Sequence, residues 1–194
     1  TSLALPLQQI ETLCRDSSSV VIVDEAYVDF GGESAIPLTR QYANLLVTQT
    51  FSKARSLAGL RLGYAIGHRD LIEALNRIKN SFNSYPIDAI AQTAALASLA
   101  DEDYFQQSRQ RIIDTRQAMT ARLNELGFEV LPSAANFVFA RHRSAAAGQL
   151  YLQLKQKGVL VRYFNKPRID NYLRITVGTD SETATLISRL QEIL

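Results

Sequence analysis

Cysteine is nearly absent from these 194 residues, with Cys14 standing alone. A single thiol excludes an internal disulfide and a thiolate zinc site, and it agrees with a reducing compartment. The two histidines, His68 and His142, are too far apart to offer metal-ligand spacing. No apolar run approaches the length of a membrane span and no signal-peptide pattern opens the chain, so a cytoplasmic location is expected. Charge of one sign never forms a block. The net charge is only +2 and the basic residues are spread along the chain, which leaves no electrostatic footprint for nucleic acid or an anionic membrane. Neither an internal repeat nor a low-complexity tract is present. Hydrophobic and charged fractions of 46% and 21% are those of an ordinary globular chain, long enough for one well-buried domain or two small ones. The only methionine is Met119, and Thr1 opens in the middle of what reads as structured sequence; a piece of a longer protein is expected.

Lysine is the most informative scarcity, with five against sixteen arginines. Lys79, Lys155, Lys157 and Lys166 fall at helix ends or in a turn, where a solvated charge is ordinary. Lys53 differs. It follows the strand-like NLLVTQT at 44–50 and is flanked by Thr50, Ser52 and Ser56, which places its amine among small hydroxyls at the C-terminal edge of a sheet. Open α/β sheets bind ligands at that edge.

What is present has two rhythms. Residues 7–15 carry apolar positions at helical spacing, and VVIV at 20–23 has no alternation, the mark of a strand buried on both faces as in a parallel sheet. Strands are expected at 44–50 and 62–66. An amphipathic helix is expected over 70–79 with Asp70 as its N-cap, and alanine-rich helix from 87 to 100. A long helix at 101–126 ends at Gly127. Strand-like segments at 129–131, 136–140, 159–163 and 172–177 then alternate with helices at 145–156 and 181–194, the last capped by Asp180 or Ser181. The class is α/β, and the boundary between two lobes falls near Asp101.

Asp24 ends the 20–23 strand, where a buried carboxylate needs a cationic partner or a capping role. Tyr27 lies three residues on. Taken singly, Lys53 reads as a surface charge, Arg61 as half of an ion pair, and Tyr27 as a core ring with a wet hydroxyl. Taken together, a carboxylate, a phenol, a hydroxyl-flanked amine and a guanidinium point to one rim. A pyridoxal phosphate site asks for such a set: a lysine to form an imine, an anion at the ring nitrogen, a donor at the phenolic oxygen, and hydroxyls with a guanidinium for the phosphate.

VDEAYVDF at 23–30, TFSKARSLAGLRLGYAIG at 50–67 and VLVRYFNKPRIDNYLRITVGT at 159–179 resemble the fold-type I aminotransferases, and within them most closely the histidinol-phosphate aminotransferases. The resemblance implies the C-terminal part of the PLP-dependent transferase fold: residues 1–100 the remainder of the large cofactor-binding domain, a partial sheet with helices, and 101–194 a small α+β domain. It implies that Asp24 pairs with the pyridine nitrogen of pyridoxal 5′-phosphate, Tyr27 bonds its ring oxygen, Lys53 is the Schiff-base lysine, and Ser52 and Arg61 serve the phosphate; Thr50 is counted with the cofactor-binding residues. Arg162 and Arg174 would grip the anionic end of the substrate, although Arg162 also reads as a surface strand charge. The implied reaction is amino transfer between histidinol phosphate and 2-oxoglutarate by a homodimer, in histidine biosynthesis. The first half that such enzymes carry does not precede Leu3, so an unpaired sheet edge, weak activity and self-association are expected of this chain.

Three other readings stay open. A sister enzyme on the same cofactor, such as an aromatic aminotransferase or a phosphothreonine-type decarboxylase, shares these motifs. An effector-binding domain of a transcription regulator shares them too. VVIVDEA at 20–26 also fits a magnesium-holding strand of a nucleotide hydrolase, but no G-x-x-x-x-G-K-[ST] loop accompanies it.

Overall fold

A computed structural model describes all 194 residues, which divide into two compact units, Ala4–Ser108 and Thr1–Leu3 with Arg109–Leu194.

In the first unit, helix α1 (Leu7–Asp16) buries Ile10 and Cys14, one turn apart. It covers one face of a three-stranded sheet ordered β1 (Val21–Asp24), β2 (Leu45–Thr50) and β3 (Gly63–Gly67). Ile10, Cys14, Ala35, Leu45 and Val47 form the core between them. The sheet is mixed. β1 runs parallel to β2, with Asp24 opposite Thr48, whereas β3 runs antiparallel to β2, with Gly63 opposite Thr50. Helices α2 (Arg69–Phe82) and α3 (Ala89–Ala100) follow, and α4 (Glu102–Glu125) begins here and continues into the second unit beyond Ser108.

Two expectations for this unit are corrected. VVIV is not buried on both faces: Val21 and Val23 pack against the core, whereas the opposite face of β1 is uncovered, with Ile22 63% exposed and Asp24 exposed with it. The N-cap of α2 is His68, whose Nδ1 accepts from the Asp70 amide at 3.4 Å. Asp70 sits inside the first turn, where its charge still favours the helix dipole. At α3 the cap is Asp88, accepting from the Ala91 amide at 2.7 Å.

The second unit is a four-stranded antiparallel sheet with helices on one face. β4 (Phe128–Val130), β5 (Phe137–His142), β7 (Leu173–Thr176) and β6 (Arg162–Tyr163) lie in that order, with α5 (Ala147–Gln156) between β5 and β6 and α6 (Asp180–Ile193) last. Alternation along β5 and β7 sends Val138, Ala140, Leu173 and Ile175 to the core, where they meet Met119 and Leu123 of α4, Leu150 of α5 and Leu190 of α6. Gly127, at φ 85°, supplies the left-handed residue that ends α4.

β6 is shorter than the 159–163 segment suggested. The Val159 amide is taken by the Leu154 carbonyl at 2.9 Å in the turn that closes α5, so pairing starts only at Arg162. The cap of α6 is Thr179 rather than Asp180 or Ser181. Its hydroxyl accepts from the Glu182 amide at 3.2 Å while the Glu182 carboxylate accepts from the Thr179 amide at 2.7 Å, a reciprocal capping box.

Candidate active site

The ends of three strands set the site. Because β1 and β2 are parallel, Asp24 and Thr48 leave the sheet together, and the Glu25 amide adds one more ladder bond to the Thr48 carbonyl at 2.8 Å. β3 enters at the same end because it is antiparallel. Asp24, Tyr27, Thr50, Ser52, Lys53 and Arg61 are thereby gathered at one end of one sheet.

Lys53 occupies a turn closed by the Leu57 amide on the Phe51 carbonyl at 2.9 Å and by the Ser56 amide on the Lys53 carbonyl at 3.0 Å. Its neighbours hold that turn down. Phe51 and Ala54 are buried, and Phe51 meets Tyr64 edge to face at 5.8 Å. Arg55 lies 4.0 Å over the Phe105 ring, donates to the Ser98 carbonyl at 2.6 Å and pairs with Glu102 at 3.4 Å. Lys53 itself is half-buried, and its Nζ stands 5.5 Å from the centre of the Tyr27 ring.

Backbone strain concentrates here. Of three non-glycine residues in the left-handed region, Ser56 (φ 58°) lies in this turn and Arg61 (φ 52°) follows it. Each costs on the order of 1–3 kcal/mol, and such residues cluster where geometry serves a ligand. The Arg61 side chain is exposed and donates to the Ala58 carbonyl at 2.9 Å. Thr50 Oγ1 donates to the Leu62 carbonyl at 3.3 Å and accepts from the Ser52 amide at 3.1 Å, so that hydroxyl shapes the turn.

Asp24 differs from expectation. Its carboxylate is exposed and accepts from the Ala26 amide at 3.0 Å, so it bears little desolvation cost and needs no buried cation. The buried acid is its neighbour Glu25, 7% exposed, which accepts from the Ser34 hydroxyl at 2.7 Å, the Ala35 amide at 2.5 Å and Gln49 Nε2 at 2.8 Å. Gln49 in turn accepts from the Tyr64 hydroxyl. Sequence reasoning missed Glu25, Gln49 and Arg55. The signal for Glu25 was the Asp-Glu pair itself, since strand alternation sends two adjacent carboxylates to opposite faces.

Arg162 and Arg174 lie in the second unit and are directly opposite each other on β6 and β7. Arg174 is half-buried with its guanidinium 4.1 Å from the centre of the Phe137 ring, and Arg162 is exposed at 5.5 Å from that of Phe164. The partner that a mid-strand arginine needs is thus an aromatic face. Like charges directly opposite in a sheet repel, so the pair is suited to hold an anion that touches both.

The family model for aminotransferase class I and II matches residues 1–190. The chain is 57% identical to histidinol-phosphate aminotransferase 1 of Hydrogenovibrio crunogenus, over 100% of this chain and 55% of the relative, and 58% identical to histidinol-phosphate aminotransferase 1 of Pseudomonas aeruginosa, over 98% and 54%. It spans about half the length of the curated relatives it matches. The crystal structure of histidinol-phosphate aminotransferase from Sinorhizobium meliloti in complex with pyridoxal-5′-phosphate shares the fold with a TM-score of 0.87 and 24% identity, covering 100% of this chain and 55% of that one. With the match running across both units, the chain belongs to the class I and II aminotransferase family.

Proposed function

We propose that this chain carries the cofactor lysine and much of the cofactor cradle of a histidinol-phosphate aminotransferase, with Lys53 as the attachment point for pyridoxal 5′-phosphate. The observation that supports this most is the meeting of an amine, a phenol and a carboxylate at one sheet end: Lys53 Nζ lies 5.5 Å from the Tyr27 ring, on the strand end that pairs with the one bearing Asp24. The donor set fits the cofactor, because no carboxylate competes for the amine and Asp24 is open on the same rim.

When bound, pyridoxal phosphate supplies an aldehyde and an electron-accepting ring. Asp24 would hold a proton on the ring nitrogen, Tyr27 would donate to the ring oxygen, and Ser52 and Arg61 would hold the phosphate, with Thr50 shaping the turn that presents Ser52. Once the substrate's amine has displaced it, Lys53 Nζ would carry a proton between the substrate's α-carbon and the cofactor's aldehyde carbon. Arg162 and Arg174 are assigned to the substrate's phosphate. The relatives' names supply histidinol phosphate as the amino donor, and 2-oxoglutarate is assigned as the acceptor. No helix is long and apolar enough to cross a membrane; a cytoplasmic homodimer is the proposed working form.

Borohydride reduction of the chain mixed with pyridoxal 5′-phosphate, followed by peptide mass spectrometry, tests the assignment. The label is expected on Lys53, with no equivalent adduct in Lys53→Ala. Equal labelling of all five lysines would overturn it.

A further inference from the structure

The string of side chains behind the site is as specific as the site. Ser34, Glu25, Gln49 and Tyr64 form consecutive hydrogen bonds, with the Glu25 carboxylate satisfied by three donors. A buried carboxylate costs several kcal/mol unless it is bonded in this way. Three of the four lie close in sequence to a residue of the site: Glu25 follows Asp24, Gln49 precedes Thr50, and Tyr64 follows Arg61 by three positions on the incoming strand. The backbone ladder between β1 and β2 reaches the Glu25 amide on Thr48. One step further along, the Glu25 to Gln49 bond ties the Asp24–Tyr27 loop to the strand that delivers Lys53. The core under α1 meets this string at Ala35, whose amide donates to Glu25, while Gln49 and Tyr64 lie outside that core.

We infer that Glu25 is a positioning residue, which through Gln49 and Tyr64 sets the spacing between the Asp24 carboxylate and the Lys53 amine; this rests on Lys53 being the attachment point for the cofactor. Attack of an amine on an aldehyde whose ring and phosphate are held by other groups depends on their mutual placement, and small misplacements cost large factors in rate. Loosening the string leaves every cofactor-contacting side chain present and spoils their spacing.

The test is the rate at which pyridoxal 5′-phosphate attaches to Lys53, read by borohydride quenching and peptide mass spectrometry, with the other four lysines of the chain as internal controls. Gln49→Leu removes both bonds that join the string and fills the same space. It is expected to slow attachment at Lys53 by tenfold or more, with the other lysines labelled at the parent rate and the melting temperature lowered by several degrees, since Glu25 loses one of its three donors. An unchanged rate at Lys53 overturns the inference, as does an equal slowing at all five lysines. Should Gln49→Leu fail to fold, Tyr64→Phe removes one hydroxyl and keeps the ring against Phe51. It is expected to slow attachment severalfold at unchanged melting, and an unchanged rate again overturns the inference. A parent chain with no preference for Lys53 overturns the attachment-point assignment and this inference with it. A parent with that preference and variants that keep it overturn only this inference.

Discussion

Lys53 is presented by residues that do no chemistry themselves. Phe51 and Ala54 are buried on either side of it, and Arg55 is fixed by a ring, a carbonyl and a carboxylate. Arg55→Leu removes a charge-assisted hydrogen bond to Ser98, worth about 1.5–3 kcal/mol, so the urea midpoint of the chain is expected to fall correspondingly. An unchanged midpoint would show that neither the Ser98 bond nor the guanidinium over Phe105 retains the turn. The motif around Lys53 was legible because small hydroxyls beside a lone lysine at a strand end are an unusual combination. Which of Asp24 and Glu25 faces inward was not, since that depends on what covers each face of β1. The outer face is uncovered, so Asp24 is exposed and Glu25 takes the buried place.

Strand spacing at the site is set by a glycine. A Cβ at Gly63 would stand 2.9 Å from the Gln49 carbonyl oxygen, on the strand that pairs Gly63 with Thr50. Gly63→Ala is expected to cost about 1–3 kcal/mol and to slow labelling of Lys53, both measurable on one preparation. In the second unit the Thr179 cap governs behaviour in acid. The amide and hydroxyl of Thr179 hold the Glu182 carboxyl below its usual pKa. A carboxyl depressed by folding contributes stability above its unfolded pKa, about 4.3, and loses it as pH falls through the lower folded value. Melts by circular dichroism from neutral pH to about pH 3 are expected to show a smaller acid loss for Glu182→Gln than for the parent; equal slopes would remove the box as a cause. Helix positions were readable from periodicity, whereas caps were displaced by a residue or two, to His68 and Thr179. Side-chain geometry chooses among neighbouring polar residues, and periodicity cannot. The length of β6 was unreadable for a similar reason, because the α5 turn claims the Val159 amide.

The chain as a whole displays more apolar surface than its composition suggests. Phe82, Tyr85 and Ile90, in and between α2 and α3, are 79%, 92% and 75% exposed, and α2 buries none of its residues. Exposed apolar side chains of this kind favour association. Light scattering is expected to show mass rising with concentration, and Phe82→Lys with Ile90→Lys to reduce the rise; a monomer at all concentrations would contradict this. Cys14 offers a separate use. Its thiol is 3% exposed beneath α1, and burial raises its pKa, so reagents reach it only when that helix lifts. With one sulfhydryl in the chain, the speed of its reaction with a chromogenic disulfide becomes a clock for the opening of the first unit, and cofactor that braces the unit should slow that clock.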